Sequence, residues 1–313
     1  MGPQVVKMNT LTSGLSYIDL QFLGVPRVIA TAVLAGPDGV MLIDPGPSST
    51  LPTLLAELER AGIALSDVRG LLLTHIHLDH AGASGTLVHQ NPKLRVYVHE
   101  KGAPHLTHPE KLLASATRLY GNDMDRLWGA VLPVPSEALV VLTGEDGADR
   151  ISGAGRTLDV AYTPGHASHH VSYFDQASGI AFVGDTVGIR LYPESFVMPP
   201  TPPPDIDLEI WRDSFARIAA WRPGTLFITH FGAHAPVDAH MAEMRDHLEV
   251  ASGLVKASLA REGTDAEREA WFIDEMRQRL QRRATPAEVR AYEVAGRLDL
   301  SWRGLARYWR KKH

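Results

Sequence analysis

The chain alternates short apolar runs with turn residues over its first two thirds, and then changes to long helical spacing. Val28–Leu34 is apolar and β-branched, Gly36-Pro37-Asp38-Gly39 is a turn, and Val40–Ile43 is apolar again, which predicts a hairpin. The second strand runs into Asp44-Pro45-Gly46-Pro47, and Ser48–Thr50 then offers a cap for a helix near Leu51–Ala61. Gly70–Leu73 predicts a short buried strand, Ala83–His89 a helix start and Leu94–His99 another strand. Residues 104–135 read as helical or irregular. Further strands are expected at Ala138–Leu142, Thr157–Tyr162, His170–Asp175, Ile180–Val183 and Thr225–Thr229. Strands and helices therefore interleave, which predicts a mixed αβ architecture.

Met198–Asp205 carries five prolines and can be neither helix nor central strand, so it reads as an extended connector. Because it follows Gly184-Asp185 so closely, it serves either as a wall of the site or as a plain linker. Helical spacing follows at Leu208–Ala220, Met241–Arg261, Asp265–Arg283 and Pro286–Arg297. Leu298, Trp302, Leu305 and Trp309 then form one apolar stripe. We read an αβ domain over residues 1–235 and a helical C-terminal region over 236–313. The stripe should bury against the domain, and the basic tail Arg310–His313 should complement the dipole of its helix.

Composition narrows the chemistry. The 313 residues include no cysteine, which excludes disulfides, thiolate metal sites and cysteine nucleophiles. There are 31 basic and 36 acidic side chains, a formal net charge of −5, which speaks against binding nucleic acid through bulk positive charge. No run of about 18 apolar residues predicts a membrane helix, and Met1–Leu20 lacks a signal-peptide pattern. The expectation is a cytoplasmic protein acting on a small-molecule substrate, without nucleic-acid or membrane partners. A homodimer is compatible with it.

The 15 histidines carry the remaining information. Thr74-His75-Ile76-His77-Leu78-Asp79-His80 places four metal-ligand types within six residues, directly after a buried strand. Burying three imidazoles and a carboxylate without an ion would be costly. One ion does not need four such groups so close together, so the density points to two metals. Thr163-Pro164-Gly165-His166, Gly184-Asp185-Thr186 and Thr229-His230-Phe231-Gly232 each follow a predicted strand. His234, His169 and His170 lie near these motifs, while His99, His105 and His108 read as structural or surface residues.

This ordered set, His75-x-His77-x-Asp79-His80 with His166, Asp185, His230 and the early Asp44, resembles the metallo-β-lactamase-fold superfamily. The resemblance covers about residues 15–235 and implies a four-layer αββα sandwich. It further implies that His75, His77 and His166 hold one metal and that Asp79, His80 and His230 hold a second. Asp185 would bridge the two, with Asp44 orienting a ligand or the bridging water. The two divalent ions would be zinc foremost, with iron or manganese also suited. The implied activity is hydrolysis of an ester, thioester or lactone by a metal-bridging hydroxide, with Asp79 able to take or pass a proton. The motifs are most similar to those of the glyoxalase II group. Quorum-signal lactonases are similar too, but they carry a tyrosine three residues after the bridging aspartate, where this chain has Gly188. The alternative is a mononuclear iron dioxygenase of persulfide type, with iron on His75, His166 and Asp185.

Overall fold

The computed structural model describes residues 8–145 and 148–312. His313 of the basic tail and Met1–Lys7 lie outside that range. The first sheet has seven strands in chain order: β1 (Asn9–Thr12), β2 (Leu15–Asp19), β3 (Ala30–Gly36), β4 (Gly39–Ile43), β5 (Val68–Leu72), β6 (Arg95–His99) and β7 (Leu139–Leu142). β1 to β4 pair antiparallel and β4 to β7 pair parallel. Parallel neighbours need crossovers. These are α1 (Leu51–Arg60), α2 (Leu78–Ala81) with α3 (Ser84–Gln90), and α4 (Ala103–Thr107), α5 (Glu110–Tyr120) with α6 (Met124–Trp128).

The second sheet runs β8 (Arg150–Gly153), β9 (Arg156–Tyr162), β10 (Val171–Asp175), β11 (Ile180–Phe182), β12 (Thr225–Ile228), β13 (Gly232–His234), with α7 (Leu208–Ala220) crossing between the parallel β11 and β12. Four helices complete the chain: α8 (Val237–Leu259), α9 (Asp265–Gln281), α10 (Pro286–Ala295) and α11 (Leu298–Lys312). Thr264 with Glu267, and Thr285 with Glu288, form capping boxes that start α9 and α10.

Alternation along the strands explains the layering. Val33, Val40 and Leu42 face outward into an apolar cluster with Leu54, Leu58 and Leu87 of α1 and α3. Ala32, Leu34, Met41 and Ile43 face inward and meet Val160, Tyr173 and Phe182 of the second sheet. That inner cluster continues through Trp211 and Phe215 into Met244, Phe272, Tyr292 and Leu305 of α8 to α11. The result is the expected αββα sandwich with a helical C-terminal region. Among the described residues no helix is long and apolar enough to cross a membrane.

The apolar stripe of α11 seats as expected. The indole of Trp302 donates to Ser258 (2.9 Å) and that of Trp309 to Ser252 (3.2 Å), both on α8. Lys312 reaches Glu209 at the start of α7. The proline connector does more than link. Thr201 donates to the Ser301 carbonyl of α11, and a Cβ on Gly304 would lie 2.0 Å from the Thr201 carbonyl oxygen. Only a glycine lets α11 approach the connector this closely.

Candidate metal centre

Each motif histidine and aspartate sits where a strand ends, so the sheets aim them at one edge. β5 delivers Thr74 to His80, β9 delivers His166, β11 delivers Asp185 and β12 delivers His230. The segment 75–77 is extended, and Asp79 and His80 then turn in on α2.

The seven side chains form contiguous groups. His75, His77 and His166 each bring one ligand atom within 4.8 Å of the others. So do His75, His80 and Asp185, and so do Asp79, His80 and His230. His77 Nδ1 lies 3.0 Å from Nε2 of both His75 and His166. Asp185 faces both sides, with Oδ2 3.4 Å from His166 Nε2 and Oδ1 3.4 and 3.5 Å from Nε2 of His80 and His230. Four ligands at zinc–nitrogen distance around a tetrahedral ion stand about 3.3 Å apart. The spacings are therefore those of an ion-sized hole.

Satisfaction of hydrogen bonds gives an independent test. His80 Nε2, Asp185 Oδ1 and His230 Nε2 are buried and have no hydrogen-bond partner among the described residues. Three orphaned atoms converging on one point are costly unless something cationic engages them. The opposite ring nitrogens are all engaged. His75 Nδ1 bonds Thr74 Oγ1 (3.1 Å), His80 Nδ1 bonds Asp44 (2.8 Å), His166 Nδ1 donates to the Pro200 carbonyl (2.8 Å) and His230 Nδ1 donates to the Val28 carbonyl (2.7 Å). Each of these bonds fixes its ring and leaves Nε2 as the free ligand atom. These residues fit divalent metal.

Asp44 ties the centre together from behind. Its fully buried carboxylate accepts from the Thr74 amide (2.8 Å), Thr74 Oγ1 (2.7 Å) and Thr229 Oγ1 (2.7 Å), besides pairing with His80. Gly184 lets Asp185 approach. At φ 46° it takes a left-handed turn, and a Cβ there would meet Thr74 Oγ1 at 2.5 Å and His170 Nε2 at 2.7 Å. His170 is a buttress outside the ligand set. Its Nε2 accepts from the Asp185 amide (3.3 Å), and its Nδ1 meets Thr163 and Thr186 hydroxyls.

Electrostatics divide the centre. Burial, with the neighbouring His80, His77 and His166, holds the His75 imidazole well below the ordinary histidine range, and His77 falls to about 4 by burial and the nearby His166. Burial opposes charge on His80, yet Asp185, Asp44 and Asp79 prevail and raise it well above that range. Asp79 drops to about 2, because His80 and His230 outweigh its burial, and Asp185 also lies well below the carboxylate range. The two carboxylates thus stay ionised and attract positive charge to this spot.

A cavity of about 320 Å³ opens on the centre and is lined by His77, Asp79, His166, Asp185 and His230. The connector's Pro200 and Pro202 to Pro204 form part of its wall, so the connector shapes the site. His169, one of two neighbours of His166 singled out above, lines the cavity, and its Nδ1 accepts from the Ile76 amide (3.4 Å). Two further lining residues depart from the sequence reading. His105 reads as structural or surface, and Tyr120 carries no signal within the irregular stretch 104–135, yet both face the cavity. Burial, with the charge of Asp79 adding, raises the Tyr120 phenol. Gly188 has no room for a side chain, since a Cβ would lie 2.6 Å from Met244 Sδ.

His234 points elsewhere. Its Nε2 donates to the Phe231 carbonyl (3.1 Å), and its ring packs 5.2 Å from His240, which bonds the Val187 carbonyl (2.9 Å). Burial lowers both to about 4, with Arg190 also acting on His234. Their folded values lie below the unfolded value near 6.5. The stability they contribute is full above that value and is lost as pH falls towards 4. Denaturant titrations should show each histidine costing about 3 kcal/mol, about 6 kcal/mol for the two, between pH 7 and pH 4. The His234→Gln/His240→Gln variant should flatten that slope relative to the parent, and an identical slope would refute the assignment.

The fold and the clustered ligands together define a class. The metallo-beta-lactamase superfamily profile matches residues 24–230, and the chain belongs to that superfamily. A relative from Sulfurisphaera tokodaii, the metallo-beta-lactamase fold-containing protein ST1585, is 26% identical over 230 residues, covering 72% of this chain and 82% of that one. A hydroxyacylglutathione hydrolase from a Synechococcus strain is 27% identical over 146 residues, and the match spans 47% of this chain and 43% of that protein's length. Among solved structures, the metallo-beta-lactamase family protein TTHA1429 from Thermus thermophilus shares the fold with a TM-score of 0.71 at 22% identity, covering 97% of this chain and 95% of that one.

Proposed function

We propose that this chain is a dinuclear metal-dependent hydrolase of an ester, thioester or lactone. The observation that carries the reading is the convergence of seven ligand side chains, with the buried Nε2 atoms of His80 and His230 and Oδ1 of Asp185 left without hydrogen-bond partners among the described residues. The relatives named hydroxyacylglutathione hydrolase support acyl-thioester chemistry.

His75, His77 and His166 would hold one ion, Asp79, His80 and His230 the other, and Asp185 would touch both. Two such ions supply Lewis acidity towards a carbonyl oxygen and bring the pKa of water towards neutrality. The protein's own groups do the rest. Asp79 faces the cavity, where its carboxylate can take or pass a proton. The Ile76 amide occupies His169 Nδ1, so neutral His169 carries its proton on Nε2 and can donate it to a substrate oxygen. The buried walls exclude bulk water and strengthen each of these interactions.

The mononuclear dioxygenase alternative leaves the orphaned atoms of His80 and His230 without a role. Elemental mass spectrometry on protein grown in unsupplemented medium separates the two. About two zinc ions per chain, falling to about one or fewer in His77→Ala, together with turnover of S-acetyl-N-acetylcysteamine, is the expected result. About one iron per chain with oxygen uptake on a persulfide would overturn it.

A further inference from the structure

The cavity indicates which molecules reach the centre. About 320 Å³ would hold roughly ten waters, far more than a structural water site needs. Its walls are apolar beyond the metal-centre residues. Leu112, Ala116 and Leu119 come from α5, Trp128 from α6, Val294 from the end of α10 and Leu300 from the start of α11. Trp128 stacks on Phe22 at 5.7 Å and edge-on to Tyr120 at 5.1 Å, which makes that wall rigid. So large an apolar surface next to a polar centre is the signature of a ligand with an apolar body.

The mouth has the opposite character. The exposed lining residues are Lys101, Lys111, Arg297 and Pro204, three of them cations in a chain of net charge −5. Arg297 is paired with Asp299, whereas Lys101 donates to the Tyr162 hydroxyl and makes no ion pair among the described residues. Asp205, the carboxylate on this lining outside the centre, is half-buried and accepts from Ser168 (2.6 Å). The mouth therefore favours anions.

Resting on the hydrolase reading, we propose that the substrate is an amphiphilic acyl thioester. Its medium or long acyl chain lies between α5, α6 and the α10–α11 turn, and its anionic leaving group lies over Lys101 and Lys111. Hydrolysis joins water oxygen to the acyl carbon and breaks the carbon–sulfur bond, whose electrons stay on sulfur. The products are the carboxylate, the thiol and one released proton.

The test uses the metal-loaded protein with acetyl-, butyryl-, octanoyl- and dodecanoyl-coenzyme A, and the same acyl groups on neutral N-acetylcysteamine. Each added methylene should raise kcat/KM by about threefold to fourfold until the cavity is full. Ala116→Trp should lower octanoyl or dodecanoyl turnover at least tenfold more than acetyl turnover. Leu119→Trp serves as the second blocking variant should Ala116→Trp fail to fold, as judged by circular dichroism and metal content. Lys101→Glu/Lys111→Glu should lower kcat/KM for the coenzyme A series about tenfold more than for the N-acetylcysteamine series. Hydrolysis of the acetyl thioesters with no gain along the chain series, or equal losses on both leaving groups, would overturn this substrate class and leave the hydrolase reading standing. No turnover of any thioester by protein carrying two metals would overturn the substrate class, and failure on p-nitrophenyl acetate and a simple lactone as well would overturn the hydrolase reading too.

Discussion

Asp185→Asn should reduce thioester hydrolysis by at least about 10³-fold, equivalent to about 4 kcal/mol of transition-state stabilisation. The asparagine keeps the shape of the side chain, so the main change is charge and ligand strength. In the structure one carboxylate oxygen faces His166, and the other faces His80 and His230. An amide offers one oxygen and turns its nitrogen, a donor, towards the remaining side. That nitrogen would face ring nitrogens or a cation, and it suits neither an ion nor an Nε2–H. Metal content should fall from two towards one, while circular dichroism stays that of the parent. Activity within tenfold of the parent, at parental metal content, would show that Asp185 does not join the two groups.

The second large effect concerns stability. Asp44→Ala should lower the unfolding free energy by about 3–5 kcal/mol, the usual cost of removing one partner from a buried ionic cluster. It would leave the Thr74 amide, two threonine hydroxyls and His80 Nδ1 without their acceptor. For a chain of this size that corresponds to a fall in Tm of about 5–8 °C. Asp44→Asn retains one acceptor oxygen and should recover part of the loss. Running the melts with and without chelator separates the loss of this cluster from the loss of metal. A drop that appears only without chelator would place the effect in metal binding and not in the cluster.

Much of this arrangement was legible before any coordinates. Metal-ligand types cluster at strand ends because a strand fixes direction and a loop gives freedom to turn, so the motifs around His75, His166, Asp185 and His230 could be read from order and spacing. Strand alternation at Val28–Ile43 and the helical stripe of α11 were readable for the same reason: both follow from burial with a fixed period. What stayed hidden lacks such a period. β8 reads Arg-Ile-Ser-Gly and β13 is three residues long, so neither carries an apolar pattern, and pairing with neighbours is what makes them strands. The cavity wall was hidden too. Tyr120 and His105 lie on helices whose sequence shows amphipathic faces but not what those faces enclose. The sequence left the connector as either wall or linker, and the Pro200 carbonyl that accepts from His166 could not be foreseen, since a carbonyl leaves no mark in a side-chain pattern.

Part of the wall that encloses the cavity comes from a stretch of the chain separate from the one that makes the centre. All seven candidate ligands lie between His75 and His230, whereas the helix ends that carry Val294 and Leu300 follow the last of them by more than sixty positions. The chemistry and the choice of guest can therefore drift independently. Substitutions in α10 and α11 can retune the enclosure while every ligand keeps its place. A graft of these two helices from a relative should carry that relative's preference with it and leave the reaction itself unaltered.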